Sequence, residues 1–134
     1  MSANPLIAIV DDDESIREAL HSLLRSVGLR AEVCASAEDF LQSGRLPDTA
    51  CLIVDVRMPH LSGLELQRQL ITAHCPIPLI FITAHEDEET RQRALRAGAI
   101  DFLYNHLAKR SCSALCRQRL FLYSEPHHRL VRSY

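Results

Sequence analysis

The chain has 134 residues, 47% of them hydrophobic and 24% charged, with a formal net charge of -2; this is ordinary globular composition, enough for one compact domain and too little for a second full one. No stretch offers the roughly 20 uninterrupted apolar residues of a membrane span, and residues 1–5 carry no basic segment leading into an apolar signal region, so a cytoplasmic protein without membrane association is expected. All but one of the Asp and Glu residues precede residue 105 and the remainder is net basic, so the acidic main body argues against direct nucleic-acid binding, which needs Lys and Arg gathered on one face.

Leu6–Val10 is a short, continuous apolar run stopped by Asp11, Asp12 and Asp13, the pattern of a strand buried on both faces whose carboxyl end meets solvent. From Ser15, the residues Ile16, Ala19, Leu20, Leu23, Leu24 and Val27 recur at helical steps up to a stop at Gly28, which predicts the first helix. Residues 31–35 read as a weaker, more exposed strand, Ser36 as the cap of a helix carrying Ala37, Phe40 and Leu41, and residues 51–54 as another buried strand. Beyond a loop at 57–62, Leu64, Leu66, Leu70 and Ile71 predict a third helix before the breakers Pro76 and Pro78, followed by a fourth strand at 79–82. The acidic run 86–89 suits a helix N-terminus; that helix carries Ala94, Leu95 and Ala97, closes at Gly98 and precedes a fifth strand at 99–103. Alternation of this kind implies an α/β fold with a parallel sheet covered on both faces, and ligand sites in such sheets lie beyond the carboxyl ends of the strands.

That edge receives Asp11 and Asp12 after the first strand, Asp55 after the third and Thr83 after the fourth. Carboxylates converging from separate strands repel one another unless a cation or proton intervenes, and a hard divalent ion bound through oxygen, magnesium by nature of the ligands, resolves this. Asp55 would then accept a phosphoryl group, the ion would neutralise charge during in-line transfer, and the Thr83 hydroxyl would hydrogen-bond a phosphoryl oxygen. Solvated turns and helix caps are the plainer reading of acids after strands, and it is adopted for Asp13, Glu14 and the run 86–89. Taken alone, Thr83 fits either reading. The five cysteines are odd in number and form no Cys-x-x-Cys pair, and the seven histidines lack metal-ligand spacing; no disulfide framework or zinc site is expected, and Cys34, Cys51 and Cys75 read as small core residues.

Val10-Asp11-Asp12-Asp13-Glu14, Asp55-Val56-Arg57-Met58-Pro59 followed by Ser62-Gly63, Ile82-Thr83-Ala84-His85, and Ala97-Gly98-Ala99-Ile100-Asp101-Phe102-Leu103 resemble, in order and spacing, the signature segments of response-regulator receiver domains. The resemblance covers residues 6 to 104 and is closest to receivers of FixJ-type two-component regulators. It implies a doubly wound, flavodoxin-like (βα)5 receiver fold of the CheY-like kind, with strand order 2-1-3-4-5. It also implies that Asp12 binds magnesium directly and Asp11 through water, with manganese an acceptable substitute, and that the Arg57 backbone carbonyl joins them. Asp55 would be phosphorylated by a sensor histidine kinase, in a switch that assists its own phosphorylation and dephosphorylation rather than an enzyme in the ordinary sense. Thr83 and Phe102 match the switch pair, through which a new dianion alters packing on the face of the fourth helix, fifth strand and last helix; by pattern alone Phe102 is an ordinary core residue. A phosphorylation-dependent homodimer belongs to the same expectation. Because FixJ-type receivers usually precede a helix-turn-helix DNA-binding domain and none fits here, an excised or truncated receiver is expected rather than a stand-alone regulator.

The pattern breaks after the fifth strand. The family places Lys-Pro there, the lysine pairing with the phosphoryl group, whereas this chain has Asn105-His106, with Lys109 four residues on. A one-base slip of reading frame accounts for this better than divergence. Residues 105–114 can be encoded as AAC CAT TTA GCG AAG AGA TCC TGC TCC GCG, and one A restored after the first two bases yields Lys-Pro-Phe-Ser-Glu-Glu-Ile-Leu-Leu-Arg, an ordinary receiver ending. The gene's nucleotide sequence decides between the two. Ala108, Cys112, Leu115, Cys116, Leu120 and Tyr123 still recur at helical intervals, so an amphipathic last helix over about 107–123 is expected to complete a domain of residues 1–123, with 124–134 an irregular tail.

Other classes fit less well. A haloacid-dehalogenase enzyme needs a second Asp two residues after its nucleophile, where this chain has Arg57. A flavin carrier needs an anion-friendly loop after the first strand, and residues 11–14 are its electrostatic opposite. A pseudo-receiver that binds partners without phosphorylation is the serious alternative.

Overall fold

The computed structural model describes residues 5–85 and 87–104. Asn105, His106, the expected last helix and the tail lie outside the described residues, as does Glu86. Within them the chain runs β1 (Leu6–Val10), α1 (Glu14–Ser26), β2 (Arg30–Cys34), α2 (Ala37–Gln42), a 3-10 turn (Leu46–Asp48), β3 (Thr49–Asp55), α3 (Gly63–Thr72), β4 (Leu79–Thr83), α4 (Glu88–Arg96) and β5 (Asp101–Tyr104). The five strands form one parallel sheet in the order β2-β1-β3-β4-β5, as the sequence led us to expect.

The three central strands carry uninterrupted apolar runs, Leu6–Val10, 50–54 and 79–82, because both faces are covered. Ile7, Ile9, Cys51, Ile53, Ile80 and Ile82 point to one side and pack with Leu20 and Leu24 of α1. Ala8, Val10, Leu52, Val54, Leu79 and Phe81 point to the other, against Phe40 of α2, Leu66 and Leu70 of α3 and Ala94 of α4. Cys51 is buried and the thiols of Cys34 and Cys75 are half-buried beside this second layer; none of these three is in a disulfide.

Each helix begins close to the carboxyl edge of the sheet, and each start is chemically fixed. Asp13 accepts from the Ser15 and Ile16 backbone N–H groups at the head of α1, so that of the two uses expected for it, solvated turn or cap, it serves as a cap. Ser36 caps α2 through the Asp39 N–H. Ser62 and Glu65 form a reciprocal capping box on α3, satisfying two backbone donors that the first turn would otherwise leave unpaired. Asp87 caps α4, so that helix starts at Glu88, a little later than the acidic run suggested. The fifth strand is also displaced: Ile100 donates its N–H to Leu79 O at 2.7 Å, and the ladder proper begins only at Asp101.

Candidate functional site

Three neighbouring strands, β1, β3 and β4, end together, and the residues at their ends line a cleft of about 220 Å³. Asp11 follows β1, with its N–H bonded to Cys34 O. Its side chain is 3% exposed and accepts from the Asp13 N–H at 2.8 Å. Asp12 beside it is exposed, and Asp55, the last residue of β3, is half-buried and accepts from the Arg57 N–H at 3.2 Å. Carboxylate oxygens of these three residues lie within 4.8 Å of one another.

Packing carboxylates this way is unfavourable for their charged forms. Burial raises the Asp55 pKa to about 7, the negative charge of Asp11 adds to the rise, and the Arg57 N–H opposes it. Burial likewise raises Asp11 to about 6, opposed by the Asp13 N–H and reinforced by the charges of Asp12 and Asp13. The donor set is wholly oxygen and acidic, and its desolvation is partial; that is the chemistry of a hard divalent cation site, so the residues present fit magnesium.

Thr83 ends β4 with 3% exposure and also lines the cleft. Its hydroxyl donates to the His85 carbonyl at 3.3 Å and accepts from the His85 N–H at 3.1 Å. Phe102 does not reach the cleft. It pairs with Phe81 across the β4–β5 ladder, two register steps before the pairing of Thr83 with Tyr104. There it is 4% exposed, with ring centroids 6.1 Å from Phe81 and 6.4 Å from Tyr104. Of the six residues singled out from sequence, Asp11, Asp12, Asp55, Arg57 and Thr83 therefore meet at one place, and Phe102 sits in the core beneath it.

Two features of the cleft escaped the sequence reading. His85 lines it, and the Arg57 side chain, considered only for its backbone carbonyl, borders it while pairing with Asp87 at 3.9 Å. Position alone could have flagged Arg57, since it stands two residues beyond Asp55.

A doubly wound parallel sheet with an acidic cluster and a hydroxyl at its carboxyl edge defines the CheY-like class of α/β signalling domains. Residues 7–114 match the response regulator receiver domain, and the chain belongs to that family of two-component signalling switches. It is 50% identical over 97 residues to the response regulator protein TmoT of Ectopseudomonas mendocina, covering 72% of this chain and 44% of that protein. With the transcriptional regulatory protein FixJ of Azorhizobium caulinodans it shares 40% identity over 97 residues, covering 72% of this chain and 46% of the other. The structure of the response regulator StyR superposes with a TM-score of 0.84 at 42% identity, covering 97% of this chain and 65% of that one. The chain thus spans less than half the length of these two curated relatives. No helix among the described residues is long and apolar enough to cross a membrane.

Proposed function

We propose that the chain is the phosphoacceptor domain of a cytoplasmic two-component response regulator, and that Asp55 takes the phosphoryl group of a sensor histidine kinase. The convergence of Asp11, Asp12 and Asp55 beside Thr83 is the observation that carries this reading. A carboxylate oxygen of Asp55 attacks phosphorus as the nitrogen–phosphorus bond of the donor phosphohistidine breaks; the departing imidazole takes up a proton. Asp11, Asp12, Asp55 and the Arg57 carbonyl would hold magnesium, or manganese in its place, which supplies charge neutralisation for in-line transfer. Thr83 exchanges its bond to His85 for one to a phosphoryl oxygen, and the Phe102 ring answers by repacking against Phe81 and Tyr104. Hydrolysis by the same residues resets the switch.

By analogy with its relatives, the output is control of transcription by a DNA-binding domain elsewhere in the full protein, with homodimerisation on phosphorylation; sedimentation before and after phosphorylation tests the latter. Acetyl phosphate with magnesium, followed by intact mass, tests the central claim. A phosphoryl adduct is expected, and Asp55→Asn removes it. An unmodified mass would favour the phosphorylation-independent receiver, the reading that draws on Asn105 standing where the family has lysine.

A further inference from the structure

Among the described residues, Arg57 and His85 are the only basic side chains that line the acidic cleft. Arg17 is close by, but its guanidinium is engaged at 2.8 Å by the Asp11 backbone carbonyl. The Arg57 guanidinium is held far less firmly. Its ion pair with Asp87 spans 3.9 Å, and its side chain is 63% exposed; a long pair in open solvent contributes little. Asp87 does not depend on it either, because the Thr90 hydroxyl at 2.7 Å and the Thr90 N–H at 3.2 Å already occupy its two carboxylate oxygens. Those same two donors are the main reason that the Asp87 carboxyl sits below its ordinary range.

The root of the Arg57 side chain, by contrast, is fixed beside Asp55 through the Arg57 N–H. Arg57 also borders a second cavity of about 550 Å³, shared with Met58, Leu64 and Thr90, which leaves the side chain room to move.

We infer that Arg57 is a mobile counter-charge: its guanidinium rests on Asp87 while the Asp55 carboxylate is free, and transfers to a phosphoryl group once Asp55 carries one. This rests on the phosphoacceptor reading above. A phosphoryl dianion offers a guanidinium two parallel charge-assisted hydrogen bonds in a half-buried setting, a stronger partner than a solvated carboxylate whose oxygens are already engaged. Among the described residues this is the one ion pair between the loop after Asp55 and the start of α4, so its exchange carries the occupancy of Asp55 to α4 alongside Thr83.

The test uses the whole chain and beryllofluoride as the phosphoryl analogue, titrated at saturating magnesium and read by fluorine NMR, with magnesium binding alone measured by calorimetry. Arg57→Gln is expected to weaken the beryllofluoride adduct roughly five- to twentyfold while magnesium alone binds no more weakly, because a cation has left the neighbourhood of three carboxylates. Asp87→Asn, which keeps a capping side chain, is expected to tighten the adduct about two- to threefold, and to do so only where Arg57 is present. Arg57→Lys recovers part of the loss. An Arg57→Gln adduct within twofold of the unsubstituted chain, or an Asp87→Asn effect of equal size with and without the Arg57→Gln change, overturns the inference and leaves the phosphoacceptor reading intact. Absence of any Asp55-dependent adduct in the unsubstituted chain overturns the phosphoacceptor reading itself, and the inference with it.

Discussion

Gly63 and the backbone carbonyl of Asp55 are in such close contact that no side chain fits between them: a Cβ on Gly63 would collide with the Asp55 carbonyl oxygen and crowd the Phe81 ring at 3.1 Å. The contact follows from the Gly63 N–H reaching Val56 O at 3.0 Å, which draws the head of α3 onto the end of β3. Gly63→Ala therefore pushes on the main chain that presents Asp55. A loss of about 1–3 kcal/mol is expected, together with weaker magnesium binding. Chemical denaturation and calorimetry check the two effects, and a variant as stable and as competent as the unsubstituted chain would contradict the packing.

The acidic cluster makes stability depend on pH in a direction opposite to most carboxylates. Asp55 and Asp11 titrate near 7 and 6 in the fold, against an ordinary 3.8. Between about pH 4 and 7 the folded chain holds more protons at these sites than the unfolded chain, so without metal their contribution to stability falls as pH rises through that window and levels off above it. Magnesium reverses the loss at pH 8 and has little effect at pH 4.5. Asp55→Asn should stabilise the metal-free chain at pH 8 by on the order of 1 kcal/mol after discounting for solvent screening, and should shrink the response to magnesium. Melting curves of both chains in chelator and in magnesium at the two pH values decide it.

Much of this could be read from sequence because parallel strands covered on both faces leave an unambiguous mark: 51–54 and 79–82 are apolar throughout, and the acids that stop such runs fall on the functional edge by topology. Ser36 announced its helix because a short polar side chain before a periodic run has few other uses. Features that were not legible lacked a local pattern or depended on which partner the fold supplied. The 3-10 turn at Leu46–Asp48 carries no periodicity. The start of β5 is set by the bond from Ile100 to Leu79 O, and Asp87 was one of several adjacent acids until Thr90 singled it out. The partner of the Arg57 side chain, Asp87, became visible only when the start of α4 was placed opposite it.

The capping box at Ser62 and Glu65 supports the loop behind Asp55 as well as the helix. Ser62→Ala removes the acceptor for the Glu65 N–H and is expected to destabilise the chain by about 1 kcal/mol. The Ser62 N–H and hydroxyl hold the Glu65 carboxyl below its ordinary range, so the stabilisation from this pair is present above that range and disappears as pH falls through the folded pKa. Urea midpoints at pH 7 and pH 3 should show a clear gap between Ser62→Ala and the unsubstituted chain at the higher pH and a narrower one at the lower. Equal gaps would mean that Glu65 takes no part.

Thr83 and Phe102 make separable predictions because they occupy different environments. Phe102 is enclosed by Phe81 and Tyr104, so Phe102→Ala opens a cavity in the core and is expected to cost about 3–5 kcal/mol. Thr83→Ser keeps the hydroxyl and its exchange with His85, whereas Thr83→Val fills the same volume without the donor. If Thr83 carries the signal from the cleft to β5, Thr83→Val should still form the beryllofluoride adduct, with reduced affinity, yet leave the ring resonances of Phe102 and Tyr104 close to their unliganded positions; Thr83→Ser should shift them as the unsubstituted chain does. Ring shifts of full size in Thr83→Val would place the coupling elsewhere, and the release of α4 from Arg57 would then be the route to examine, since it reaches the same face without passing through the Thr83 hydroxyl.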